Sequence, residues 1–340
     1  QVDGGHAGLP SFAAEVRART ESRLAFRVGQ RMVERKASDL HLKVGSHAVL
    51  RINGELIPLV ETKRLMQEDT IAMAFSIMSN RQKQKFKENL EIDIAYSVPG
   101  LGRFRCNVFQ QRGTVGLVLR VIPVKISTIR ELHLPLILER IAHEQRGLIL
   151  VTGTTGSGKS TSLAAMLDYR NDKTRGHIIT IEDPIEYVHT HRNCVVTQRE
   201  VGVDTESWHM ALKNTLRQAP DVILIGEIRD RETMEYGIQF AETGHLVLAT
   251  LHANSANQAM DRIINFFPED RREQLLMDLS LNIRAMIAQR LIPRESGKGR
   301  IAAMEVMLNT PLIADLIFKG FGTVGVVALV QRRPEDRHDA

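Results

Sequence analysis

Gly153-Thr-Thr-Gly-Ser-Gly-Lys-Ser160 decides how the rest of this chain is read, because it matches the phosphate-binding pattern G-x-x-x-x-G-K-[ST] at every fixed position. Upstream, Gly147-Leu-Ile-Leu-Val-Thr152 is a short apolar run of buried-strand type; downstream, Ser160-Thr-Ser-Leu-Ala-Ala-Met-Leu-Asp168 is rich in helix formers. Strand, glycine loop and helix N-terminus in that order make an anion site. Gly153, Gly156 and Gly158 free the backbone to turn its N–H groups inward, and the helix dipole favours negative charge there. Thr154, Thr155, Ser157 and Thr161 complete the residues expected around the phosphates. Lys159 has the length to reach the β- and γ-phosphates, and the Ser160 hydroxyl is placed for Mg²⁺. The bland alternative is a glycine-rich surface turn with an incidental lysine, and the flanking pattern argues against it.

A nucleotide-hydrolysing site also needs one acid in the metal shell and one that orients water, both at carboxyl ends of strands near the loop. Val222-Ile-Leu-Ile225 reads as a buried strand ending in Gly226-Glu227, and Glu227 is the expected metal-shell acid. His177-Ile-Ile-Thr-Ile181 ends in Glu182-Asp183-Pro184, where proline stops the strand with two acids at its tip. Glu182 is the candidate for polarising water; its competing role is that of a strand-end carboxylate capping the next turn. A third apolar run, Thr243 to His252, carries His245 and His252 near its ends. Lone histidines are usually structural, but two at the ends of a strand in this sheet are candidates for sensing a γ-phosphate.

The 340 residues, 43% of them hydrophobic, suffice for two domains. A formal charge of +5 arises from 45 basic and 40 acidic residues mixed along the chain, which describes a solvated, mildly basic surface. Cys106 and Cys194 build neither a disulfide framework nor a tetracysteine zinc site, and two reduced thiols suit the cytoplasm. No apolar stretch reaches transmembrane length, and no signal peptide is evident. Residues 1–20 read as a loose N-terminal extension. Residues 21–123 read as a small α+β module: helical spacing from Glu21 to Lys36, alternation over Ser38 to Val44, an Asn53-Gly54 hairpin signal, and two helices between Leu65 and Leu90. Strands follow over Ile92 to Ser97, Arg103 to Gln110 and Thr114 to Ile122, with turns at Pro99-Gly100 and Arg112-Gly113. Residues 124–135 form a linker. Over 136–320 apolar runs alternate with helical segments, the signature of a mostly parallel sheet wrapped by helices, hence an α/β domain. In the first module Arg103 and Arg105 share one strand face, with Arg112 and Arg120 on or beside the next strand. Exposed sheet arginines ordinarily face solvent, yet a mobile module can present such charge to a phosphate as arginine fingers do.

These segments together resemble a known family. Ala37-Ser-Asp-Leu-His-Leu42, Gly102-Arg-Phe-Arg105, the loop at Gly153 to Ser160, Thr180-Ile-Glu-Asp-Pro-Ile-Glu186, Leu216-Arg-Gln-Ala-Pro-Asp221, Gly226-Glu-Ile-Arg-Asp230 and Ala241-Glu-Thr-Gly-His245 are similar to the motifs of type IV pilus and type II secretion motor ATPases. They correspond to that family's Walker A, Asp box, Walker B and His box. The chain looks most like the PilT/PilU retraction branch, and Gln198 to Trp208, Asn265-Phe-Phe-Pro268 and Leu276-Met-Asp-Leu279 resemble PilU most. The resemblance implies a RecA-like P-loop NTPase motor domain preceded by a smaller α+β, PAS-like domain. It implies a homo-hexamer with ATP and Mg²⁺ at subunit interfaces, held in the cytoplasm against an inner-membrane pilus platform protein. By the same resemblance Glu182 is the catalytic acid, Glu227 the Walker B acid, His245 and His252 the His-box pair, and Arg105 and Arg120 the arginines directed at nucleotide phosphates. Assembly ATPases commonly carry a tetracysteine zinc insert, so the cysteine usage here favours retraction. The likeness ends at Gly320: family members continue into a longer helical region, whereas this chain runs Phe321-Gly-Thr-Val-Gly-Val-Val-Ala-Leu-Val330 into a charged tail over 331–340. ATP binding is expected to survive that departure; motor output is what it puts in question.

The leading expectation is therefore an ATP-hydrolysing hexameric motor for pilus retraction and twitching motility. An accessory, non-autonomous ATPase working beside a PilT-like partner is one alternative. A RecA-like nucleic-acid motor is the other, and 5% aromatic content with no basic stripe of interleaved stacking residues speaks against it.

Overall fold

The computed structural model describes residues 29–98, 102–123, 125–295 and 299–320. The proposed extension over 1–20, the first turns of the predicted Glu21 to Lys36 helix, the Pro99-Gly100 turn and the tail over 321–340 lie outside the described residues. The chain divides into two compact units, the first ending at Pro123 and the second beginning at Val124.

In the first unit a helix over residues 29–34 precedes β1 (Asp39–Leu42), β2 (Val49–Ile52), β3 (Glu55–Pro58), α1 (Gln67–Ser76), α2 (Asn80–Asn89), β4 (Glu91–Val98), β5 (Gly102–Gln111) and β6 (Thr114–Ile122). All neighbours in the sheet order β3-β2-β1-β6-β5-β4 are antiparallel. Asn53 and Gly54, both with positive φ, close the β2–β3 hairpin in the way a two-residue turn demands. Ser79 starts α2 with a reciprocal cap: its Oγ accepts from Gln82 N, and Gln82 Oε1 accepts from Ser79 N. Alternation along β5 sends Phe104, Cys106 and Val108 into the core and Arg105 to the opposite, exposed face. The register then sets Arg51 opposite Asp39, Asp39 opposite Arg120, and Arg120 opposite Arg105, one charged row across four strands.

The second unit contains α3 (Ile137–Ala142), β7 (Gly147–Thr152), α4 (Lys159–Lys173), β8 (His177–Glu182), β9 (Val195–Glu200), α5 (Trp208–Thr215), β10 (Val222–Ile225), α6 (Arg231–Glu242) and β11 (Leu246–Leu251). It continues with α7 (Ala256–Asn265), α8 (Arg272–Asn282), β12 (Ile283–Pro293), β13 (Arg300–Leu308) and α9 (Pro311–Phe318). The sheet order is β13-β12-β7-β11-β10-β8-β9, parallel throughout except for the β12–β13 hairpin. Strands β7, β10 and β11 are buried on both faces, which is why they read as unbroken apolar runs. One core packs Met234, Ile238, Ala259, Ile263 and Leu279 of α6, α7 and α8 against the sheet; the other packs Leu138, Ile141, Leu163 and Met166 of α3 and α4. Ile129 and Leu134, from the stretch read as linker, are buried in this second core. Register pairs Thr152 with Leu251 and Ile225 with both Ala249 and Ile181, so the loops after β7, β8, β10 and β11 emerge along one edge. Ligands bind at that edge in open α/β sheets. This is the RecA-like motor domain with a smaller N-terminal domain that the motifs imply. Among the described residues no helix is long and apolar enough to cross a membrane.

Candidate active site

The loop leaves β7 at Gly153 and enters α4 at Lys159, with Gly153, Gly156 and Gly158 all at positive φ. Glycine is required at Gly153 for space as well, since a Cβ there would sit 2.5 Å from the Gln289 carbonyl. Lys159 Nζ donates to the carbonyls of Gly153 and Thr154 at 2.9 and 3.1 Å, and its burial lowers its pKa against the pull of Glu227 and Glu186. A cavity of about 380 Å³ opens over the loop, lined by Thr155, Gly156, Gly158, Lys159, Ser160 and Thr161. Its other walls come from the segments after β8, β10 and β11: Glu182, Asp183, Glu186, Tyr187, Gly226, Glu227 and His252. Three strand ends and one loop thus converge on one volume.

Glu182 closes β8 and is 8% exposed. Its Oε1 accepts from Thr180 Oγ1 at 2.6 Å and Gln198 Nε2 at 3.3 Å, and its Oε2 from the Glu186 amide at 3.4 Å. Burial pushes its pKa up to about 7; the Thr180, Gln198 and backbone hydrogen bonds oppose the rise, and the neighbouring charge of Glu186 adds to it. A carboxyl near neutrality is suited to take a proton from water. Glu227 is bound by Arg229 Nε at 2.8 Å and faces His252 Nε2 at 3.1 Å. Burial first, then the Lys159 charge, holds the His252 pKa below the usual histidine range, so the ring is neutral near pH 7. Mg²⁺ fits this donor set: the Ser160 hydroxyl and Glu227 carboxylate line one cavity. Among the described residues no group of three His, Cys, Asp or Glu side chains is gathered for a metal.

One expectation is corrected. His245 precedes β11 while His252 follows it, and a six-residue strand separates them by roughly 20 Å. Only the His252 end faces the phosphate loop; His245 Nδ1 lies 3.1 Å from Thr243 Oγ1 and 3.2 Å from the Phe240 carbonyl at the other edge. The two histidines therefore do not form a pair within one subunit. Arg105 and Arg120 lie in the first unit, exposed, and meet Asp93 at 3.4 Å and Asp39 at 2.8 Å. Burial of Asp39 works against its charge, but the Arg120 and Ser38 hydrogen bonds outweigh it and leave its pKa lowered.

Several residues at the site were not among the candidates named from the sequence. Gln198 holds Glu182 from the edge strand β9 and also donates to the Tyr187 carbonyl at 2.9 Å; the Tyr187 hydroxyl lies 2.8 Å from Thr161 Oγ1. Arg229 links Glu227 to Asp183, 3.6 Å away. Leu291 and Arg300, on the β12–β13 hairpin, reach the cavity wall. Arg229 stands inside the segment Gly226-Glu-Ile-Arg-Asp230 that carries Glu227, and its place there was the signal open for it.

A glycine loop feeding a helix, with acids at the ends of two further parallel strands, defines a RecA-like P-loop nucleotide-binding protein. The chain belongs to the type II/IV secretion system protein family, whose model matches residues 30–315, and falls in its PilT/PilU branch. It is 57% identical to the type IV pilus ATPase PilU of Pseudomonas aeruginosa over 289 residues, covering 85% of this chain and 75% of that protein. It is 45% identical to the pilus retraction ATPase PilT of the same organism, covering 83% and 81%. The crystal structure of a pilus retraction motor PilT with bound ADP superposes with a TM-score of 0.83 at 45% identity, covering 87% of this chain and 86% of that one.

Proposed function

We propose that this chain is a Mg²⁺-dependent ATPase that drives type IV pilus retraction, and hence twitching motility, as a homo-hexamer on the cytoplasmic side of the inner membrane. The observation that carries the reading is the convergence of Lys159, Ser160, Glu182, Glu227 and His252 on one cavity over the glycine loop. Its relatives named for pilus retraction and twitching motility support the biological assignment.

Phosphoryl transfer asks the protein mainly to position groups and to stabilise charge. Loop amides from Gly153 to Thr161 hold the phosphates, and Lys159 leaves its own loop carbonyls to neutralise them. Ser160 and Glu227 would hold Mg²⁺, which would supply positive charge to the phosphates. Glu182 orients water and accepts its proton, with Thr180 and Gln198 fixing the carboxylate. His252, neutral and beside Glu227, reports the terminal phosphate. Arg105 and Arg120 supply further positive charge to the phosphates, and hydrolysis moves one domain against the other to act on the pilus platform protein.

Lys159→Ala is expected to abolish ADP and ATP binding, read by calorimetry; near-parent affinity would remove the site assignment. Glu227→Ala is expected to keep ADP binding and lose turnover. The greater likeness to PilU than to PilT favours a second reading, in which the chain works beside a PilT-like ATPase. Turnover measured alone and with such a partner separates the two, and absence of stimulation by DNA or RNA excludes a nucleic-acid motor.

A further inference from the structure

Gln289 lies on β12, outside the loop and both acid segments, and is a polar side chain only 2% exposed. Both ends of its amide are engaged. Nε2 donates to the Ser157 carbonyl at 2.9 Å, and Oε1 accepts from Ser162 Oγ at 2.7 Å. Register pairs Ala288 with Thr152, which sets Gln289 alongside Gly153 where the loop begins. A Cβ at Gly158 would lie 2.7 Å from Gln289 Nε2, and one at Gly153 would lie 2.5 Å from its carbonyl, so two loop glycines leave the room this residue occupies.

We propose that Gln289 is the positioning residue of the phosphate-binding loop: by fixing the Ser157 carbonyl it turns the Gly158 N–H toward the phosphates. The inference rests on the reading of Gly153 to Ser160 as a nucleotide phosphate site. A trans peptide is planar, with its C=O and N–H pointing in opposite directions. Once the Ser157 carbonyl is held against β12, the N–H of the same peptide unit faces the other way. Gly158 lines the cavity, and its positive φ is the conformation that glycine adopts without cost. The same freedom lets an unheld Ser157–Gly158 peptide flip and present a carbonyl, which repels phosphate. Through Ser162, whose amide bonds the Gly158 carbonyl at 3.0 Å, Gln289 also ties the loop to the first turn of α4. The P-loop is thereby preorganised from behind by a strand more than a hundred residues later in sequence.

The test uses the full chain and ADP as the probe. Gln289→Leu keeps volume and removes both hydrogen bonds. Gln289→Glu in its ionised form still accepts from Ser162 but cannot donate to the Ser157 carbonyl, so its binding is followed as pH is raised, and Ser162→Ala removes only the helix half. Both Gln289 variants are expected to weaken ADP binding by about tenfold or more, against less than about threefold for Ser162→Ala. In glycine-¹⁵N-labelled protein the Gly158 amide resonance should shift on ADP binding in the parent and in Ser162→Ala, and stay in place in Gln289→Glu. If Gln289→Leu does not fold, Gln289→Glu carries the comparison. Parent affinity with a normal Gly158 shift in the Gln289 variants overturns the proposal, as does an equal loss in Ser162→Ala. Lys159→Ala separates the failures: if it loses ADP while the Gln289 variants do not, the inference alone falls, and if it too binds like the parent, the phosphate-site reading falls.

Discussion

At Glu182 stability and chemistry oppose each other. The carboxyl's ordinary pKa is 4.5, and in the folded state burial moves it to about 7. Between those values the folded protein holds a proton that the unfolded chain has released, so stability falls as pH rises from 4.5 to 7 and stays lower above. That interval corresponds to at most roughly 3 kcal/mol. Glu182→Gln keeps the shape and can still accept from Thr180 Oγ1. It is expected to raise the unfolding midpoint at pH 8, to change little at pH 4, and to lower ATP turnover about a hundredfold or more. Melting curves at both pH values beside a turnover assay check this, and a variant less stable than the parent at pH 8 contradicts the account. The parent's turnover should itself decline below about pH 7, where Glu182 is protonated and cannot take a proton from water. Lys159, Glu182 and Glu227 were legible in the sequence because each stands at a strand end or in a fixed-spacing motif. Gln289 was not, because its partners Ser157 and Ser162 are brought to it only by the parallel pairing of β12 with β7.

Among the elements, legibility followed burial. β7, β10 and β11 declared themselves as apolar runs because both faces are covered, whereas β9 at the sheet edge reads Val195-Val-Thr-Gln-Arg-Glu200 and shows no such pattern. The β12–β13 hairpin is hidden for a different reason: its strands mix apolar runs with Gln289, Arg290 and Glu305, and the partners of Gln289 and Glu305 lie on distant segments. Helix starts are better marked. Asp230 caps α6, its Oδ1 accepting from Thr233 N at 2.9 Å, directly after the turn that carries Glu227 and Arg229. Asp230→Ala is expected to cost about 1 kcal/mol in urea unfolding and to lower turnover more than ADP affinity, since it loosens the segment that sets Glu227. Unchanged unfolding in urea would show that the cap contributes nothing.

Over the whole molecule, each unit carries its own core. Phe104, Leu50, Met73 and their neighbours form the first, and two cores flank the sheet of the second. Residues 125–320 are therefore expected to fold alone, with the loop, Glu182, Glu227 and Gln289 all inside that stretch, and to bind ADP at about the parent's affinity. Turnover is a separate matter if Arg105 and Arg120 contribute charge to the reaction. Arg105→Ala in the full chain is the cleaner probe, because its ion pair with Asp93 is exposed on both sides and contributes little to stability. Arg120→Ala leaves the buried Asp39 carboxylate without its 2.8 Å partner, so lost folding would be mistaken for lost catalysis. The expected pattern is intact ADP binding in both the 125–320 fragment and Arg105→Ala, with turnover falling about tenfold or more in each. Calorimetry and a phosphate-release assay on the same samples decide it. Parent-level turnover from the fragment would place the whole catalytic apparatus in the second unit and leave the arginine row of the first as an ordinary solvated sheet face.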